Sequence, residues 1–278
     1  MHSTGFVRNS SRTLIFPILA ILAILTFFPS VSFASVQTPT LASPPRNAFN
    51  CPSGTVCSTN WSGFAVTGSS GSVSDVKGSW KVPSVTCGSK STYSSYWVGI
   101  DGYSSSTVEQ TGTDSDCSSG SAHYYAWYEF YPAGSFQISG FTVKAGDIVS
   151  AEVSYSTSTG KFTTTITDGS QTFSTSASVS AAARSSAEWI IERPALCMGA
   201  HCKLTSLSNF GTVSLGSDFT SISGTNYATI SGTSGTIGSF GASVVRLTMV
   251  NSAGTTLAEP STLSSDGTSF TETWFASS

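Results

Sequence analysis

Short apolar and threonine-rich runs, separated by Gly, Ser, Asn or Asp, are the feature that most restricts how this chain can fold. They recur at residues 141–143, 148–155, 162–166 and 243–250, and several alternate apolar and polar side chains with a period of two. Helical periodicity over twelve or more residues is absent from the sequence beyond its first 34 residues. The pattern predicts an all-β fold, an antiparallel β-sandwich of the lectin-like or jelly-roll type with two stacked sheets.

The first 34 residues are typical of an export signal. Arg8 and Arg12 precede an uncharged apolar run at residues 14–28, which ends in a stretch of small residues. Because Ser32 and Ala34 occupy the positions that a signal peptidase inspects, we expect cleavage after Ala34. The alternative, an uncleaved anchor, is disfavoured because the run is short for a membrane span.

The expected mature chain divides into two parts. Residues 35–56 are rich in Pro, Ser and Thr without periodicity, and they predict an extended leader or a short pro-segment. Residues 57–278 predict a single β-sandwich domain, since such sandwiches commonly exceed 200 residues. We expect a secreted, extracellular monomer that makes no membrane contact after signal cleavage.

Six cysteines follow the signal, and an even number in an exported chain predicts disulfides rather than thiol chemistry. Sequence alone leaves the connectivity open, because six cysteines allow fifteen pairings. Short separations favour the pairs Cys51 with Cys57 and Cys197 with Cys202, which would leave Cys87 with Cys117.

Charged residues form only 10% of the chain, against about 25% in ordinary soluble domains. The chain has twelve Lys and Arg, two of them in the signal, so full protonation of its fifteen Asp and Glu leaves little self-repulsion in acid. The composition therefore suits low pH and offers no basic patch for nucleic acid. His123 and His201 lie outside any triad motif, and zinc or phosphate-binding motifs are absent from the sequence, so we expect neither metal nor cofactor.

Three segments, residues 97–101, 126–131 and 188–192, separate with a period of two into an apolar face and a second face of aromatic and carboxyl side chains. If neighbouring strands present these second faces together, they form a substrate groove whose low dielectric raises carboxyl pKa values. Solvated carboxyls and packing tryptophans are the alternative for any single strand, but three strands share the pattern. The second faces carry Trp97, Asp101, Trp127, Glu129, Tyr131, Glu188 and Glu192.

Five motifs along this part of the chain resemble the eqolisin family of glutamic peptidases, and they occur in the family's order. They are residues 60–63 (NWSG), 97–102 (WVGIDG), 110–112 (QTG), 126–132 (AWYEFYP) and 187–192 (AEWIIE). The resemblance implies a sandwich of two seven-stranded antiparallel sheets and activity on proteins at acid pH. It also implies that Gln110 and Glu192 form a catalytic dyad, and that the other second-face residues line or support the site. This chain departs from the family pattern in a slightly shorter loop before Gln110, in Glu109, which replaces an apolar residue, and in Arg193-Pro194, where an acidic residue is common.

Peptide hydrolysis needs a base to activate water, a donor to stabilise the oxyanion and an acid to protonate the leaving nitrogen. Glu192 would take a proton from water and later donate it to the nitrogen, while the Gln110 side-chain NH2 would donate to the oxyanion. A glutamate with an unshifted pKa near 4.3 would suit work at about pH 2 to 5. We expect protein or peptide substrates.

Two other functions fit the aromatic and carboxyl faces. A glycoside hydrolase would need two facing carboxyls separated by about 5.5 Å, or by up to about 9.5 Å. Glu188 and Glu192 are roughly 13 Å apart along one strand, whereas Glu129 facing Glu192 from a neighbouring strand would satisfy the spacing. A non-catalytic carbohydrate-binding module would need only the aromatic faces.

Overall fold

The computed structural model describes residues 51–198 and 201–278. The signal predicted at residues 1–34 and most of the leader predicted at residues 35–56 lie outside this part of the chain. The described residues all belong to one compact unit. Within them, no helix is long and apolar enough to span a membrane.

The described chain is built almost entirely of strands, with one short α-helix, α1 (Ser217–Thr220), and one 3₁₀ segment (Ile237–Ser243). The strands are β1 (Val56–Ser58), β2 (Trp61–Thr67), β3 (Val73–Lys81), β4 (Ser95–Ile100), β5 (Val108–Ser118), β6 (Ser121–Tyr131), β7 (Phe136–Gln137), β8 (Ile148–Ser156), β9 (Lys161–Asp168), β10 (Gln171–Ala177), β11 (Ser186–Glu192), β12 (Ala195–Met198), β13 (His201–Leu204), β14 (Thr212–Leu215), β15 (Tyr227–Ile230), β16 (Thr233–Thr236), β17 (Val244–Val250), β18 (Thr256–Pro260) and β19 (Phe270–Trp274). The predicted all-β class is confirmed.

The strands form two layers that are joined along one edge. The first layer runs β7-β6-β5-β4-β11-β2-β17, and the second runs β10-β9-β8-β3-β14-β19-β18, with the β15–β16 hairpin also paired to β3. Nearly all pairings are antiparallel, and pairing of β17 with β18 makes the two layers one continuous hydrogen-bonded sheet. The sandwich prediction is therefore confirmed, with a closed edge that the sequence did not indicate.

The core between the layers contains the apolar faces that the period of two predicted. Val98 and Ile100 of β4, and Trp189 and Ile191 of β11, are all at most 1% exposed. They pack with the inward side chains of the second layer, including those of β8. Burial of such a side chain stabilises the fold by about 1.5–3 kcal/mol, so the alternation fixes which face of each strand points outward.

Three disulfides close the structure in the pairing that short separations favoured. They join Cys51 to Cys57, Cys87 to Cys117 and Cys197 to Cys202. In the described part of the chain all cysteines are bonded in this way. The bond between Cys87 and Cys117 spans 30 residues and ties the segment before β4 to the end of β5, which restricts the unfolded chain.

Glu109 of β5 is a carboxyl without access to solvent, and its register partners Ile100 and Phe130 both belong to the core. Burial raises the pKa of Glu109 to about 9, and the nearby Asp101 charge adds to the rise. The folded protein therefore holds a proton that the unfolded chain releases in weak acid. The contribution of Glu109 to the free energy of unfolding is therefore largest below its pKa in the unfolded chain. As the pH rises from that value toward the pKa of Glu109 in the folded protein, stability falls by about 1.4 kcal/mol per pH unit.

We predict that Glu109→Gln raises the free energy of unfolding at pH 8 and leaves it nearly unchanged at pH 3, because the amide cannot ionise. Urea unfolding at both pH values measures the difference. Asp218→Asn, at an exposed position of α1, is the control and should change neither value. An equal gain at both pH values would show that ionisation of Glu109 is not the cause.

Candidate active site

Three rows of side chains cross the face of the first layer that points away from the core, which we call the site face. Across β2, β11, β4, β5 and β6 the rows are Ala65, Glu188, Gly99, Gln110, Glu129; then Gly63, Ile190, Trp97, Gly112, Trp127; then Trp61, Glu192, Ser95, Asp114, Tyr125. Strand register thus brings most of the predicted site residues to one face. It places Gln110 and Glu192 in different rows, and in the described chain no hydrogen bond joins them.

Glu192 ends β11 with both carboxylate oxygens held by N–H donors. Asn60 Nδ2 donates to Oε1 at 3.2 Å, and Trp97 Nε1 donates to Oε2 at 3.0 Å. The side chain is 3% exposed, and burial raises the pKa of Glu192 to about 7, although the Asn60 and Trp97 donors oppose the rise. The negative charge of Asp114 adds to it. The result is a fixed carboxyl that stays protonated in acid.

Two glycines make room for Trp97. A Cβ on Gly99 would lie 3.0 Å from Trp97 Cζ3 and 3.2 Å from Gln110 Cβ. A Cβ on Gly112 would lie 2.6 Å from Trp97 Cβ and would clash with the backbone oxygen of Tyr96. The indole therefore extends along β4, with its N–H on Glu192 and its Cζ3 over Gly99 on the side of Gln110.

Gln110 is held by the neighbouring strand. Its side-chain Nε2 donates to Glu129 Oε2 at 2.6 Å, and the side chain is 5% exposed. Gln110 and Glu129 are register partners because β5 and β6 form a long hairpin whose turn residues, Ser119 and Gly120, both have positive φ. A primary amide carries two N–H hydrogens, so one remains for a bound group.

Three other predicted site residues, Glu188, Asp101 and Tyr131, lie near Gln110 and Glu192 and differ in their surroundings. Glu188 shares the row of Gln110, and burial raises its pKa well above the ordinary value, opposed by the Ser186 hydroxyl. The Asp101 carboxylate is fully buried and accepts the backbone N–H of Arg184 at 2.6 Å, which ties the loop before β11 to the end of β4. Tyr131, at the end of β6, packs against a buried cluster that contains Trp61, Trp97 and Trp127.

A model of the Peptidase A4 family matches residues 59–271, a range that contains all three rows. The chain belongs to this family.

The Peptidase A4 chain has curated relatives in two fungi. It is 35% identical to scytalidopepsin B of Scytalidium lignicola over 178 residues, which cover 61% of this chain and 65% of that protein. It is 33% identical to aspergillopepsin-2 of Aspergillus niger over 159 residues, which cover 49% of this chain and 56% of that protein. The matched part is thus less than two thirds of each relative.

Solved structures agree with this family fold. A scytalido-glutamic peptidase in complex with a peptide-based transition state analog superposes with a TM-score of 0.63 at 25% identity, covering 78% of this chain and 98% of that chain. The aspergilloglutamic peptidase from Aspergillus niger superposes with a TM-score of 0.53 at 26% identity, covering 66% and 99%.

The Peptidase A4 site contains residues that the sequence analysis did not single out. Asn60 approaches Glu192 from 132 residues away in the chain, and the buried Arg193 holds its segment by donating from Nη2 to the Thr59 carbonyl at 2.8 Å. Asp114 follows Gln110 at an even spacing, so continuing the period of two along β5 would have placed it on the site face. Asn60 begins the 60–63 motif, but alternation along a strand gave no indication that its side chain would reach Glu192.

We predict that Gly112→Ala destabilises the protein by about 1–3 kcal/mol or more, because the new methyl meets the Tyr96 carbonyl and the Trp97 side chain as described above. Urea unfolding measures this loss, and tryptophan fluorescence reports the displacement of the indole. Gly134→Ala is the matched control, since a Cβ there meets nothing within 4 Å. Equal stability of the two variants would contradict the packing described for Trp97.

Proposed function

We propose that this chain is a glutamic endopeptidase that hydrolyses peptide bonds of proteins in acid, with Glu192 and Gln110 as its catalytic pair. The observation that carries the proposal is a Glu192 carboxyl held by the Asn60 and Trp97 N–H donors on the same face as a Gln110 amide oriented by Glu129. Membership of the Peptidase A4 family supports it. So does the likeness to a scytalido-glutamic peptidase that was solved with a peptide-based analog.

The buried position of Glu192 changes the expected order of proton transfers. The sequence analysis assumed an unshifted pKa near 4.3, which is wrong for this site because burial raises the value to about 7. Below that pH the carboxyl has one O–H donor and one acceptor oxygen. It can therefore donate its proton to the substrate carbonyl oxygen while its other oxygen takes a proton from the attacking water, so that Glu192 remains neutral throughout.

The Gln110 amide donates a hydrogen bond to the same carbonyl oxygen of the substrate. Its second N–H donates to the oxygen as the tetrahedral intermediate forms, and Glu129 prevents the amide from turning away. In the second step Glu192 donates its proton to the leaving nitrogen and recovers one from the intermediate's hydroxyl, which restores the carbonyl. The carbon–nitrogen bond breaks and the carboxyl ends in its starting state, so this proposed cycle uses only side chains of the protein.

The glycosidase alternative does not fit the register of the site face. Glu129 and Glu192 stand three strands and two rows apart, roughly 20 Å between Cα atoms in an ordinary sheet, so carboxyls about 5.5–9.5 Å apart would require both side chains to extend toward each other. Each is instead held by other groups, Glu129 by Gln110 and Glu192 by Asn60 and Trp97. Secretion belongs to the same proposal as peptidase activity. Three disulfides support an oxidising, extracellular location.

We predict that Glu192→Gln abolishes cleavage of a denatured protein or peptide at pH 3, because an amide cannot pass the proton in either step. Gln110→Ala should lower turnover by about 10²–10³, the usual effect of losing one oxyanion donor. Glu188→Gln should have a smaller effect, since Glu188 has a supporting role. Turnover of a peptide substrate measures all three.

The control for these variants is Glu152→Gln, which alters a surface carboxyl of β8 in the second layer and should leave turnover unchanged. Circular dichroism at pH 3 checks that every variant is folded. Retention of more than a tenth of wild-type turnover by Gln110→Ala would contradict the assignment of the pair. Hydrolysis or binding of a glycan by a wild-type protein that cleaves no peptide would overturn the proposed function.

A further inference from the structure

Two buried carboxyls share one tyrosine hydroxyl beside Glu192. Asp114 and Asp116 are two residues apart on β5 and are 8% and 4% exposed. Tyr125 lies opposite Asp114 on β6, and its Oη is 2.8 Å from Asp114 Oδ2 and 2.9 Å from Asp116 Oδ2. The peptidase mechanism above uses none of the three groups.

A phenol has one hydrogen, so Tyr125 can donate to only one of the two carboxyls. At the observed distances the other contact requires a proton on a carboxyl oxygen, which then donates to Tyr125 Oη. Two ionised carboxylates at this hydroxyl would also repel each other in a buried site. The geometry therefore describes one shared proton and one negative charge.

The surroundings indicate which carboxyl holds the proton. Burial and the charge of Asp114 raise the pKa of Asp116 to about 8, although the Ser94 backbone N–H donates to Asp116 Oδ1 at 3.1 Å. Burial raises the pKa of Asp114 only to about 6, with the Ser95 and Tyr125 hydroxyls and the Trp127 side chain opposing the rise. Tyr125 Oη is also nearer to Asp114, which lies opposite it on the neighbouring strand, than to Asp116. On this assignment Asp116 donates to Tyr125, Tyr125 donates to Asp114, and Asp114 carries the charge.

The charge on Asp114 lies close to Glu192. Asp114, Ser95 and Glu192 are register partners on three adjacent strands, about 10 Å from first to last, and the small Ser95 side chain separates the two carboxyls. The other ionisable groups nearest to them are Asp116 on β5, Tyr125 and the exposed His123 on β6, and Arg193, which is directed to the Thr59 carbonyl. From β2 and β4, Glu192 is faced by the neutral side chains Trp61, Ser95 and Trp97.

We propose that Asp114, Tyr125 and Asp116 are positioning residues that act as a unit, in which Asp116 stores a proton so that a single negative charge rests on Asp114 and keeps Glu192 protonated toward neutral pH. The inference deepens the proposed peptidase function, because a protonated Glu192 is the form that begins the reaction. It assigns distinct tasks to the two aspartates. Asp114 supplies the charge, whereas Asp116 and Tyr125 fix where that charge lies.

The direct test is the titration midpoint of Glu192, followed by NMR in full-length mature protein labelled with 13C at glutamate carboxyls, without substrate. The spectrum of Glu192→Gln assigns the signal. Asp114→Asn should lower the midpoint by about one pH unit, because it removes a charge about 10 Å away. Asp116→Asn should leave it within about 0.3 unit, because the amide can donate permanently to Tyr125 and the charge stays on Asp114.

Two further variants make the test specific. Asp75→Asn is the control, since Asp75 has a pKa raised to about 7 but lies on β3 of the second layer; its substitution should not move the Glu192 midpoint. Tyr125→Phe serves if Asp114→Asn does not fold. Without the hydroxyl donor, Asp114 keeps its proton to a higher pH and carries less negative charge where Glu192 titrates. The Glu192 midpoint should therefore fall toward the value expected for Asp114→Asn.

The inference is overturned if Asp114→Asn leaves the Glu192 midpoint unchanged, or if Asp116→Asn lowers it as much as Asp114→Asn does. Turnover against pH gives the functional readout: in Asp114→Asn the loss of activity on raising the pH should begin about one unit lower than in wild type. The titration does not depend on catalysis. A wild-type protein that cleaves no peptide but shows the expected midpoints would contradict the proposed function and support the charge unit.

Discussion

The arrangement of the site depends on the packing and hydrogen bond of the Trp97 indole. Its Nε1 donates to Glu192, its far edge lies beside Gln110, and the Trp61 ring packs edge-on against it with centroids 5.0 Å apart. A Cβ on Gly99 would meet the ring at Cζ3 and a Cβ on Gly112 would meet Trp97 Cβ, so glycine at both positions leaves space for this side chain. One rigid side chain, rather than a direct contact, therefore lies between the two residues of the proposed catalytic pair.

Much of this could be predicted from alternation alone. Trp97, Trp127, Glu129, Glu188 and Glu192 were assigned to one face because successive side chains of a strand point to opposite sides, and the opposite faces of the same strands do fill the core. The alternation says nothing about which strands pair, so the row that joins Glu188 to Gln110, and the closure of the sandwich through β17 and β18, came only from the structure.

The groups that the sequence analysis missed are those whose roles depend on distant partners. Asn60 donates to Glu192 from 132 residues away, and Arg193 holds the segment before Asn60 by donating to the Thr59 carbonyl. Asp101 was predicted as a site residue, but its partners, the backbone N–H groups of Arg184 and Ser185, lie 83 and 84 residues later and could not be predicted. The raised pKa of Glu192 also depends on burial by several strands at once. The sequence analysis, which assumed an ordinary glutamate pKa, could not include that burial. Local pattern identifies the face on which a side chain lies, whereas its electrostatics depend on everything packed around it.

One physical term, the burial of carboxyls, connects the stability of this protein to its proposed chemistry. In acid the buried Glu109, Glu188 and Glu272 are neutral, as is Glu192, so the fold bears little cost for enclosing them, and sparse basic side chains limit repulsion at the surface. As pH rises, the same burial opposes ionisation in the folded state and the unfolded chain gains in relative stability. The protonated carboxyl that can begin peptide hydrolysis and the fold that encloses it therefore depend on the same low-dielectric interior, and both are favoured at low pH.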